Sequence, residues 1–133
     1  MTQQGGTLPV VLCVDDEEGI LRSLERCFFT AGYRILTALS GPEALDILKR
    51  LGGKVDMIIC DHTMPGMKGE EFLSIARSRY GKLAAIMLSG YTNVEVFNCN
   101  GQPVGFMEKP WHNQALREAV RDGLRPALRG DAL

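Results

Sequence analysis

Five short apolar runs punctuate the chain, at Val10–Val14, Tyr33–Ala38, Met57–Cys60, Ala84–Leu88 and Gly105–Met107. Several are apolar at every position, the pattern of parallel strands covered on both faces. Between them, apolar positions recur at helical spacing. Ile20, Leu24, Cys27, Phe28 and Ala31 trace a first helix that stops at Gly32. Ser40 and Glu43 stand in capping-box relation ahead of Ala44, Leu45, Leu48 and Leu51, and Gly52-Gly53 closes this second helix. A third is predicted from about Gly69 to Arg79 with Phe72, Ile75 and Ala76 inward. The last follows Pro110 and carries Leu116, Ala119, Val120, Leu124 and Leu128.

Repeated alternation of strand and helix builds an α/β domain, a parallel sheet with helices on both faces. One helix breaks the rhythm. Only 19 residues separate Ser89 from Lys109, and Asn98-Cys99-Asn100-Gly101-Gln102-Pro103 is turn chemistry. A helix there is confined to about Asn93–Asn98, and the stretch from Thr92 to Val104 is expected to be unsettled.

In parallel sheets of this kind the ligand site lies beyond the carboxyl ends of the strands. Asp15, Asp16, Asp61, Ser89 and Lys109 all fall at or just past the ends of predicted strands. Three carboxylates gathered at one edge repel unless a cation shares them. The pattern therefore points to a divalent metal and to a chemistry that uses one carboxylate beside it. Taken singly, each residue has a plainer reading. Asp15-Asp16-Glu17-Glu18 suits an acidic helix start, Asp61 a turn, Ser89 a helix cap and Lys109 the surface. Their order and common position at strand ends make the joint case.

Composition narrows the rest. The chain has 133 residues, enough for one domain with a real core, and a formal net charge of −1. That balance gives no electrostatic footprint for nucleic acid or an acidic membrane. Arg117, Arg121, Arg125 and Arg129 recur every four positions, most simply as a solvated helix face. No run approaches the roughly 20 apolar residues of a membrane span, and the N-terminus does not resemble a signal peptide. Cys13, Cys27, Cys60 and Cys99 have no metal-binding spacing; the first three read as small buried hydrophobes, and reduced thiols fit the cytoplasm. Trp111 is expected to pack at the start of the last helix, and His62 and His112 to lie on the surface or in loops.

The motifs together resemble the receiver domain of bacterial two-component response regulators, of the chemotaxis type. They are Asp15-Asp16 after the first strand, Asp61 with Met64-Pro65-Gly66-Met67-Lys68-Gly69 after the third, Ser89-Gly90 after the fourth and Lys109-Pro110 after the fifth. The resemblance implies a flavodoxin-like, five-stranded parallel sheet of order 2-1-3-4-5 with a short or irregular fourth helix. It sets a receiver domain at 8–128 between tails at 1–7 and 129–133.

The resemblance also implies roles. Asp61 is the phosphoacceptor, and Asp15, Asp16, Asp61 and the Thr63 backbone carbonyl hold Mg²⁺, Asp16 directly and Asp15 through water. Lys109 brings a positive charge to a phosphoryl oxygen, with its peptide bond to Pro110 in the cis form. Ser89 and Phe106 form the switch, and Thr63 and Tyr91 flank the phosphoryl group and set its lifetime. Partners are a sensor histidine kinase or phosphotransfer protein and a downstream effector; direct nucleic-acid or membrane binding is not expected. Such a module catalyses only its own phosphorylation and dephosphorylation, and it stands alone or belongs to a longer regulator. Similar Lys-Pro-Trp endings occur in receivers joined to HD-type phosphodiesterases. Three alternatives are weighed. An aspartate-nucleophile phosphatase wants a second aspartate where Thr63 stands. A flavin or nucleotide binder wants a glycine loop where Asp15-Asp16-Glu17-Glu18 stands. A pseudo-receiver docking module has no need of the complete acidic and lysine set.

Overall fold

A computed structural model describes residues 8–90, 97–99 and 102–124, with 97–99 and Pro103 described by their backbone. The apolar runs become strands β1 (Val10–Val14), β2 (Arg34–Ala38), β3 (Met57–Asp61), β4 (Ala85–Ser89) and β6 (Gln102–Glu108). A three-residue strand, β5 (Phe97–Cys99), precedes the last. The sheet order is β2-β1-β3-β4-β6-β5. All pairings are parallel except the terminal β5–β6 hairpin. With the hairpin strand set aside, the parallel order is the expected 2-1-3-4-5.

The fully apolar strands resolve into two faces by the period-two alternation of side chains. Leu12, Val14, Ile58, Cys60, Met87 and Val104 point to one side. There they meet Ala44 and Leu48 of α2 (Gly41–Leu51) and Phe72, Leu73 and Ala76 of α3 (Gly69–Tyr80). Val11, Cys13, Met57, Ile59, Ile86 and Leu88 point to the other. That face is covered by Leu21, Leu24 and Cys27 of α1 (Glu18–Cys27) and Leu116 and Val120 of α4 (Asn113–Gly123). Among the described residues no helix is long and apolar enough to cross a membrane.

Local chemistry explains most helix ends. The Ser40 hydroxyl accepts from the Glu43 amide at 3.2 Å, the cap the sequence spells, while the Glu43 carboxylate accepts from the Leu39 amide, one residue ahead of the amide a capping box would use. Gly52 ends α2 in the left-handed region at φ 63°, which glycine adopts without strain. The first helix is shorter than its apolar spacing predicts: α1 ends at Cys27, Phe28 caps it, and Ala31 is exposed in the turn beyond. In α3 the inward residue is Leu73, whereas Ile75 is half-buried.

The short helix expected over Asn93–Asn98 has its last two positions in β5; the others lie outside the described residues. Likewise Phe97–Cys99 and Gln102–Val104, expected to be unsettled, pair with one another in the hairpin. The ladder gives those residues backbone partners that an unpaired loop lacks.

Candidate functional site

Four strands deliver the site, each ending where its apolar pattern meets a polar residue. Beyond β1 the Asp15 amide still donates to the Ala38 carbonyl at 3.1 Å, so Asp15 continues the sheet and is fully buried. The Glu17 amide donates to Asp15 Oδ1 at 2.9 Å and turns the chain into α1, leaving Asp16 exposed at the bend. Asp61 closes β3 and is 6% exposed. The Thr63 amide reaches back to Asp61 Oδ1 at 3.4 Å, and Thr63 itself is exposed. Gly69 opens α3 so near the Asp61 carbonyl that a β-carbon would collide with it, which explains glycine at that position.

Ser89, buried, ends β4, and a β-carbon added at Gly90 beside it would meet no other described residue within 4 Å. The Ser89 carbonyl accepts from the Lys109 amide at 2.7 Å. The Lys109–Pro110 peptide is cis, as the resemblance implies. The Lys109 ammonium lies 3.1 Å from Asp15 Oδ2 and 3.2 Å from Asp61 Oδ1. One cation thus bridges carboxylates from two strands. Asp16 joins them: one ligand atom from each of Asp15, Asp16 and Asp61 lies within 4.8 Å of the others.

Three carboxylates against one ammonium leave the cluster negative. Burial pushes the Asp15 carboxyl above its ordinary range, opposed by the Glu17 amide and the Lys109 hydrogen bond and reinforced by the Asp61 charge. Burial works to lower Lys109, but the hydrogen bonds and charges of Asp15 and Asp61 outweigh it, so the ammonium is held above its usual value. This donor set of convergent hard oxygens, partly open through Asp16, fits a Mg²⁺ ion. Within it the Asp61 carboxylate is steadied by the Lys109 ammonium.

Other residues singled out in the sequence lie around this cluster or outside the described residues. Phe106 is half-buried on β6, paired with Met87. Tyr91, Arg125 and Arg129 lie outside the described residues. Trp111 is half-buried at the approach to α4, its indole donating to Asn113 Oδ1 at 2.8 Å. Arg117 is exposed on α4, yet it donates to the Cys27 carbonyl at 3.2 Å and so ties α4 to the end of α1. His112 is exposed, as expected. His62 lies in the bend after β3, as expected of a loop residue, but its ring is half-buried and packs edge-on against Phe106, a contact the pattern did not give. The period-two count from Ile58 and Cys60 to residue 62 is the signal that would have found it. Arg77 is the other residue that pattern reasoning missed, a buried cation in the middle of a helical stripe.

A family model of the response regulator receiver domain matches residues 11–121. The chain is 36% identical over 125 residues to the hydrogenase transcriptional regulatory protein HoxA of Cupriavidus necator, covering 91% of this chain. It is 34% identical over 117 residues to the sensor kinase CckA of Brucella abortus, covering 86% of this chain. It spans 25% and 12% of those two proteins' own lengths. Among solved structures, the signal receiver domain of an HD domain-containing protein from Pseudomonas fluorescens Pf-5 superposes with a TM-score of 0.79 at 27% identity. That superposition covers 90% of this chain and 96% of the other.

Proposed function

The chain belongs to the response regulator receiver domain family, and from that premise we propose that it is a switch set by phosphorylation of Asp61. The phosphodonor is the phosphohistidine of a sensor histidine kinase or of a phosphotransfer protein. An Asp61 carboxylate oxygen attacks phosphorus, the P–N bond to the imidazole breaks, and the imidazole leaves with a proton. The observation that carries this reading is the convergence of Asp15, Asp16 and Asp61 on one strand edge with the Lys109 ammonium between two of them.

Asp15, Asp16 and Asp61, with the Thr63 carbonyl, would hold Mg²⁺, which when bound supplies positive charge to the oxygens of the moving phosphoryl group. Lys109 supplies a second positive charge as a point donor. Its present bonds to two carboxylates keep it aimed at the reacting edge. Ser89 donates its hydroxyl to a phosphoryl oxygen once the acyl phosphate is made, and Phe106 turns inward as Ser89 shifts. The added charge biases two packings of the loops beyond β3 and β4. The output is a change in affinity for a downstream partner, and the protein's only catalysis is gain and loss of its own phosphate. This unit occupies 8–128, with tails at 1–7 and 129–133, and works in the cytoplasm with its phosphodonor.

The test is intact mass after incubation with acetyl phosphate and Mg²⁺. One added phosphate is expected in the parent and none in Asp61→Asn. An unmodified parent would leave a docking module that never takes phosphate. Thr63 and Tyr91 flank the phosphoryl group in this reading. Tyr91 is bulky and has no carboxylate to align water, so the phosphorylated state is long-lived. Tyr91→Ala is expected to lose phosphate faster than the parent; equal rates would remove Tyr91 from the account.

A further inference from the structure

We propose that His62 is the seat of the Phe106 ring and sets how strongly Asp61 phosphorylation is felt at that ring. The second half rests on the reading of Asp61 as phosphoacceptor; the first half stands on geometry alone. β3 and β6 are not neighbours, because β4 runs between them. Two strand spacings separate their backbones by roughly 9.5 Å. The His62 and Phe106 ring centroids nevertheless lie 5.7 Å apart, with the planes at 77°. The two rings therefore close the gap across β4, the strand that runs between them. Their arrangement is the edge-to-face contact that aromatic quadrupoles favour.

His62 is fixed from two sides. Its amide donates to the Leu88 carbonyl at 2.8 Å, and Nε2 donates to Glu70 Oε1 on α3 at 3.2 Å. The Nδ1 atom is buried and has no hydrogen-bond partner among the described residues. Burying a ring nitrogen in that state is unfavourable. The ring's position is held by the bond to Glu70 and by the edge-to-face contact with Phe106. Phe106 in turn packs against the core cluster that includes Cys60, Met87 and Val104. The Phe106 ring thus rests against the His62 ring, next to Asp61 in the chain, and any turn of Phe106 on phosphorylation works on that contact.

A residue that favours the inward ring also favours whichever state of Asp61 goes with it. His62 is accordingly a positioning residue, acting through Phe106. Its removal is expected to weaken binding of beryllofluoride, a phosphoryl mimic, in the presence of Mg²⁺ by roughly three- to tenfold.

The experiment uses the full chain, with His62→Leu, which keeps apolar bulk, and His62→Phe, which keeps a ring. In the unmodified protein the Phe106 ring resonances are expected to move in His62→Leu and to stay near the parent positions in His62→Phe. Beryllofluoride affinity should fall in the first variant and recover in the second. The loss should vanish when Phe106 is already leucine. Phe106 resonances untouched by His62→Leu would overturn the seat. A loss of affinity that persists in the Phe106→Leu background would overturn the coupling. A parent that binds no beryllofluoride would count against Asp61 as phosphoacceptor and take the coupling with it, while the ring resonances still decide the seat.

Discussion

Buried charge stands at both ends of the sheet, handled in opposite ways. At the amino ends of β4 and β6, Arg77 of α3 is 3% exposed. Its Nε and Nη2 donate to the Leu83 carbonyl at 3.1 and 2.7 Å, and its Nη1 to the Gln102 carbonyl at 3.1 Å. The Gln102 side chain accepts from the Leu83 amide at 3.1 Å, so the start of β6, the entry to β4 and α3 share one knot. At the carboxyl ends, three carboxylates meet one lysine. Carbonyl dipoles let Arg77 keep its charge in a fixed place. The acidic cluster keeps a repulsion that any change of charge will alter. The first arrangement locks and the second responds.

The far end carries the largest expected effect. Arg77→Met strands the Leu83 and Gln102 carbonyls and frees the hairpin, at a cost of about 3 kcal/mol in urea unfolding. Labelling of Asp61 by acetyl phosphate should survive in the molecules that remain folded. Parent stability in this variant would show that the knot is ornamental, and loss of labelling without loss of stability would join the two ends.

The acidic end answers to metal instead. At a Mg²⁺ concentration ten times its dissociation constant, the folded state should gain about 1.4 kcal/mol. The gain is read from the unfolding midpoint with and without EDTA. Asp16→Ala should abolish most of it, and Arg77→Met should retain it. An equal response in Asp16→Ala would separate the stabilisation from the cluster.

The same contrast explains what the sequence made legible. Asp15, Asp61, Ser89 and Lys109 could be placed because each ends an apolar run, and strand ends are where periodicity stops. The strands themselves were legible because their β-rich, continuously apolar runs have no competing helical period. Arg77 was not legible: the acceptors described for it are the backbone carbonyls of Leu83 and Gln102, which carry no residue signature. The hairpin was obscured because Asn98 to Pro103 reads as turn throughout, although Asn100-Gly101 is the dipeptide that two-residue hairpins prefer. Phe97–Cys99 is too short to show alternation, and its pairing comes from β6 rather than from itself. The end of α1 was misjudged because Phe28 keeps the apolar stripe while already outside the helix.

The smallest effect is titration of the acidic end in metal-free protein, and its sign follows from Asp15. Burial holds that carboxyl above its ordinary range, so the folded state keeps the proton after the unfolded chain has released it. Stability should therefore fall as pH rises from about 4, the unfolded value, through the folded one, and then level off. Lys109 adds nothing in that window. Its raised value makes its contribution complete below the unfolded value of about 10.4, and lost only as pH climbs through the folded one. The quantity to measure is the difference in unfolding midpoint between the parent and Asp15→Asn across pH 4 to 7 in EDTA. A difference that shifts against the parent as pH rises, and flattens with Mg²⁺, locates the repulsion at this carboxylate. A constant difference would move the charge imbalance elsewhere and leave the two ends of the sheet alike in their response to pH.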